Sequence, residues 1–203
     1  MTAAGGRDLD VSRLPTVVFG HRGLLWWGTL GFVAIEGTTL VICAVVYLYL
    51  GRHVPAWPPP GTPRPDLVVP TVQAALMLAS LAPAAALDRA ARRLDLGAVR
   101  RLMVWLSLLS VAFAALRWFE FGALNVRWDA SAYGSAAWLV LAGHGTLVGA
   151  EVLEVLPFSY VLFRGPLEER YFSDANDLSL YWYFMVGVWL PLYALVFLSP
   201  NLR

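Results

Sequence analysis

Hydrophobic positions fall into five long runs separated by short polar stretches. A helix crossing the hydrocarbon needs roughly 20 mainly apolar residues, because its backbone groups must bond to one another there. The runs predict spans at residues 24–50, 67–87, 102–123, 132–163 and 178–198. The fourth is longer than a straight crossing needs, which predicts tilt or protrusion. Between the first two lies GRHVPAWPPPGTPRPDL, residues 51–67, whose prolines cannot continue a helix. Residues 88–101 read as a short basic loop and 164–177 as a polar one. No repeat interrupts the pattern. The fold class is therefore all-α, a polytopic membrane bundle of five transmembrane helices: a segment at 1–23 followed by one membrane domain at 24–203.

Composition supports lipid as the solvent. Of 203 residues, 59% are hydrophobic and only 14% are charged, against about a quarter charged in an ordinary soluble domain. A formal net charge of +1 leaves no electrostatic footprint for nucleic acid. The single cysteine, Cys43, excludes an internal disulfide. Residues 1–23 contain no apolar core, so they do not read as a cleaved signal peptide. Every basic residue is arginine, and their placement orients the chain. Arg7, Arg13, Arg22, Arg89, Arg92, Arg93, Arg100, Arg101, Arg164 and Arg170 share the N-terminal side. Arg52, Arg64, Arg127 and Arg203, with Arg117 if it snorkels, take the other. That bias predicts a cytoplasmic N-terminus and a periplasmic C-terminus. Trp26-Trp27, Trp118, Trp128 and Tyr181-Trp182 read as interfacial anchors near span ends.

Ionisable groups inside apolar runs are costly and ask for a partner or a purpose. Glu36 lies in the middle of VAIEGTTLV. It is either kept neutral or hydrogen-bonded to a neighbouring helix, or it handles protons. His144, Leu147, Glu151 and Glu154 are spaced to share one helix face, directed at the bundle interior or at a partner. Glu151 and Glu154 also approach the span's end, where a carboxylate can reach water. One histidine with scattered carboxylates lacks the Glu-x-x-His pairs of di-metal bundles, so no metal ligand set is assigned. Arg117 and Glu120 are placed for an ion pair one turn apart; a contact with a lipid headgroup or a subunit is the alternative. The basic loop at residues 88–101 is a topology signal that also suits anionic lipid. No catalytic or cofactor-binding residue is identified: there is no lysine for a phosphate loop, and His21 and His53 lie outside the spans.

Four stretches resemble subunit III of haem–copper terminal oxidases, of the cytochrome c or quinol oxidase type, in its five-helix form. The first is WWGTLGFVAIEGTTLVICAVVYLYL at 26–50, where Glu36 falls on the family's intramembrane glutamate. LRWFEF at 116–121 is similar to a segment with a glutamate near a helix end, here Glu120. AYGSAAWLVLAGHG at 132–145 matches through Tyr133, Gly134, Ser135, His144 and Gly145. LYWYFMVGVWLPLYALVFL at 180–198 is similar to the closing helix. The chain departs from the family at Leu147, where a second histidine is usual, and at Tyr183 and Val186, which replace His and Asp. Glu151 stands where a small residue is expected.

The resemblance implies an accessory subunit of a bacterial inner membrane, with no haem or copper of its own. Those groups would belong to partner subunits of an aerobic respiratory complex. Oxidase subunits I and II and phospholipids would be its partners, and proton uptake the process it supports. Glu36, Glu120 and His144 are the family-matched buried polar residues. Arg117, Trp118, Glu151, Glu154 and Tyr183 are candidate lipid or subunit contacts. A subunit-III-like protein assisting nitric oxide reductase, or a small membrane transporter, are the alternative functions; an internal repeat or broken helices would favour the transporter.

Overall fold

The structure, a computed structural model, describes residues 17–166 and 168–202. Arg7, Arg13 and Arg203 of the arginine tally, and most of the segment before the first span, lie outside them. The described residues form five long helices and no strand. They are α1 (Leu24–Arg52), α2 (Val68–Arg92), α3 (Leu96–Ala123), α4 (Ala132–Arg164) and α5, which starts as Arg170–Tyr193. The last helix widens into a π segment at Ala194–Leu198 and closes with Ser199–Leu202. All five are long and apolar enough to span a membrane, the fifth over Arg170–Leu202. The chain is a multi-pass membrane protein.

Helix ends differ most from expectation on the N-terminal side. The expected loop at residues 88–101 shrinks to the three residues between α2 and α3. Leu94 turns there at φ 56, and the Asp95 carboxylate caps α3 by accepting from the Ala98 amide at 3.0 Å. A cap of this kind fixes where a helix begins, whatever the hydropathy of its first turns. Pro83 lies inside α2, which runs on to Arg92. The expected polar loop at 164–177 is helical from Arg170, because Ala175, Asn176 and Asp177 are buried against the bundle. The Asn176 amide donates to the Asp88 carboxylate, which also accepts from Arg92 at 2.8 Å, so these polar residues tie α5 to α2.

On the opposite side the proline-rich segment folds back over the helix ends. The Asp66 amide donates to Ala123 O at 2.7 Å, and the Asn125 and Asn201 amides donate to Arg64 O and Pro65 O at 3.0 Å. Trp57 inserts between Tyr47 of α1 and Tyr133 of α4, edge-on to both. Ser131 caps α4, accepting from the Gly134 amide at 3.1 Å.

Within the bundle, α2 packs on α3 and α5, α3 on α4, and α4 on α1. Without a hydrophobic drive between helices in lipid, close approach depends on small residues and polar ties. Gly143 of α4 lies against Leu40 of α1, where an added Cβ would come within 3.2 Å of its side chain. Large apolar side chains cover the outside, among them Phe32, Ile35, Trp105, Leu108 and Phe119. This is the inverse of a soluble protein's surface and what a hydrocarbon solvent requires.

Candidate functional site

Two polar centres lie inside this apolar bundle, each built by three helices. The first joins α3, α4 and α5. Arg117 and Glu120, one turn apart on α3, are 4% and 0% exposed, and His144 of α4 is 0% exposed. Arg117 Nη1 stands 2.8 Å from Glu120 Oε2, an ion-pair contact with poor hydrogen-bond angles, since neither carboxylate oxygen of Glu120 accepts a well-aligned bond. Arg117 Nη2 donates to His144 Nδ1 at 2.7 Å. A guanidinium only donates, so Nδ1 accepts and the ring proton sits on Nε2. That Nε2 donates to Met185 O of α5 at 2.9 Å. Trp189 of α5 completes the centre: the guanidinium carbon is 3.9 Å from its ring centroid, and His144 stacks on it at 4.7 Å. Gly145 lies alongside, where a Cβ would meet the Arg117 stem at an ordinary contact distance of 3.6 Å.

This centre does not reach the bilayer. Arg117 turns inward instead of snorkelling, which takes it out of reach of a lipid phosphate outside the bundle, and the expected ion pair with Glu120 forms in the interior. Chemically the arrangement can hold three helices in one register. The imidazole itself is fully buried.

The second centre joins α1, α4 and α5. Glu36 is half-buried, and its Oε2 accepts from the Tyr181 hydroxyl at 2.7 Å. Glu151 is 1% exposed and neither of its oxygens has a hydrogen-bond partner. It is buried in the bundle and does not reach water as the sequence suggested. Glu154, one turn on, is exposed at the bundle's side. The three carboxylates lie within electrostatic reach of one another and of Tyr181. Leu147, between His144 and Glu151 on α4, is buried and separates the two centres.

The remaining candidates lie apart. Trp118 is 78% exposed beside the first centre, on the lipid-facing side of α3. Tyr183 is half-buried near the Asp88 end of α2. Trp27 and Trp128 are exposed, as interfacial anchors are. Tyr181 and Trp182 are not anchors: α5 begins eight residues before the expected span, which carries both into the interior. Trp182 donates to the Ser80 hydroxyl at 2.8 Å. Sequence reasoning missed Trp189 and the role of Tyr181. The only available signal was their position one and two turns from buried apolar residues on the same helix.

Among the described residues no group of three His, Cys, Asp or Glu side chains could hold a metal ion. The fold is a five-helix membrane bundle with a buried ionic centre joining three of its helices. The chain is 26% identical over 204 residues to cytochrome c oxidase subunit 3 of Synechocystis sp., a match covering 97% of this chain and 86% of that protein. That end-to-end similarity supports the subunit III family, at a distance. No family model matches the sequence.

Proposed function

We propose that the chain is a non-catalytic accessory subunit III of a bacterial haem–copper terminal oxidase. It packs on subunit I, binds lipid and supports proton uptake during aerobic respiration. The haem and copper belong to its partners, and its N-terminus faces the cytoplasm. The observation that carries this reading is the end-to-end similarity to cytochrome c oxidase subunit 3. The geometry agrees with it, since the enclosed Arg117–His144–Glu120 centre suits a scaffold and the carboxylates near Glu36 suit proton handling.

Purification from native membranes tests the reading directly. A haem–copper oxidase with its visible haem spectrum should accompany the tagged chain. A lone chain free of haem would overturn the proposal, and a co-purified nitric oxide reductase would move the chain to that enzyme. The role of Glu36 is tested separately by Glu36→Ala in the assembled oxidase. Activity should start at the normal rate and decay faster over successive turnovers; an unchanged lifetime removes Glu36 from proton supply.

A further inference from the structure

The proline-rich segment between α1 and α2 borders two cavities that neither polar centre uses. One, of about 430 Å³, is lined by Pro58, Pro60, Thr62, Arg64 and Pro200. The other, of about 150 Å³, lies among Tyr47, Gly51, Arg52 and Ser199. Trp57 lines both. It is only 7% exposed and sits against Gly51, where an added Cβ would come within 3.1 Å of its ring. Its Nε1–H is buried with no hydrogen-bond partner. Arg52 and Arg64 are exposed, and among the described residues neither is ion-paired. Asp66, exposed on the same segment, pairs with neither of them, while Arg127 on the same side is already held by Asp129.

Topology does not account for this pair of arginines, because they lie on the side where the positive-inside rule leaves arginine scarce. Guanidinium and indole groups only donate hydrogen bonds, so the charged and unpartnered groups at both cavities ask for anionic acceptors. Two cavities with a common wall suit two carboxylates on one segment better than a single small anion. The proline-rich segment is already held in place. Gly61 turns at φ 84, the Thr62 amide donates to Pro59 O at 3.1 Å, and the Asn125 and Asn201 amides fix its far end. A partner would meet the arginines on an ordered support, which lowers the ordering cost of association. Because the segment folds over helix ends, the surface it presents suits a chain outside the membrane.

We propose that this segment docks an acidic extramembrane stretch of a partner subunit, with Arg52 and Arg64 as the ion partners on either side of Trp57. The proposal rests on the accessory-subunit reading and gives it a contact surface away from the lipid-facing sides of the helices.

Photo-crosslinking in the native complex tests it. A benzophenone amino acid placed at Pro60, which is exposed and lines the larger cavity, should crosslink to an Asp- or Glu-rich stretch of a co-purified subunit. Peptide mass spectrometry identifies that stretch. Arg52→Gln and Arg64→Gln should each lower the crosslink yield about threefold and together about tenfold, the scale of one and two exposed charge pairs. Raising the salt to about 0.5 M should lower it as well. Arg127→Gln, on the same side but outside both cavities, should leave it unchanged. Crosslinks confined to lipid, or to a stretch without acidic residues, would overturn the proposal. So would equal yields from the double variant and the parent. A complex that purifies intact but gives no crosslink overturns this proposal alone, whereas a chain purified without partners overturns the accessory-subunit reading with it.

Discussion

Single residues decide how the charges inside this bundle are tolerated. Glu120 faces Arg117 in an enclosed space, so removing one partner leaves the other charge buried without its counter-ion. Glu120→Leu should therefore destabilise the bundle by about 3–5 kcal/mol, while Arg117→Met with Glu120→Leu should cost far less. Thermal unfolding in detergent measures both; a double variant as damaged as the single one would refute the pairing. The His144 tautomer is a sharper readout, because nitrogen NMR should find its proton on Nε2 and Arg117→Met should release that preference. At the surface the loop between α3 and α4 offers a contrast. Arg127 donates two bonds to Asp129, at 2.9 and 2.8 Å, and these hold the Asp129 carboxyl below the usual carboxylate range. A depressed folded value means the pair's contribution is complete above the ordinary aspartate range and is lost as pH falls through the folded value. Carboxyl NMR should show that low midpoint, and Arg127→Gln should return it to normal.

At the scale of elements, the apolar runs revealed the number and order of helices but not their ends. Hydropathy reports what lipid touches, and the first two turns of α5 are polar because they pack on Asp88 and α2, not on lipid. The same blindness hid the role of Tyr181 and Trp182, which read as interfacial only while the helix was thought to begin near them. The start of α3 was set by the Asp95 cap, a signal visible in the sequence but hidden by the charged residues around it. By contrast isolation among apolar residues, which survives in one dimension, singled out Glu36, Glu120 and His144 as polar groups within the spans, while Arg117 and Glu151, buried in the fold, had read as lipid or subunit contacts. Which of them meet was not legible, because the Arg117–His144 contact joins different helices. Gly134 offers a test at this scale. A Cβ there would lie 2.2 Å from the Arg127 carbonyl oxygen, so the first turn of α4 cannot approach the preceding loop with any larger residue. Gly134→Ala should lower the yield and thermal stability of the folded chain, whereas Gly28→Ala, in open space, should leave both unchanged.

Across the whole molecule, polar groups are divided between an enclosed centre that fixes α3, α4 and α5 and an open acidic one beside α1. α1 buries only Leu40, Cys43 and Tyr47, so most of its surface is left for lipid or a partner subunit. The open centre lies toward the end of the bundle where the chain enters and where α2 and α3 turn, and that end also carries most of the arginines. This asymmetry makes the orientation testable without any partner. With five spans, a reporter inserted at Gly61, in the proline-rich loop, should lie on the opposite side from one inserted at Leu94. The arginine bias further predicts that Leu94 is the cytoplasmic position. A phosphatase active only outside the cytoplasm should therefore be active at Gly61 and silent at Leu94. Reversal at both positions would place the acidic centre toward the outer leaflet and remove its link to cytoplasmic proton uptake. Replacing Arg92, Arg93, Arg100 and Arg101 with glutamine should weaken the preference, because those residues supply much of the described bias.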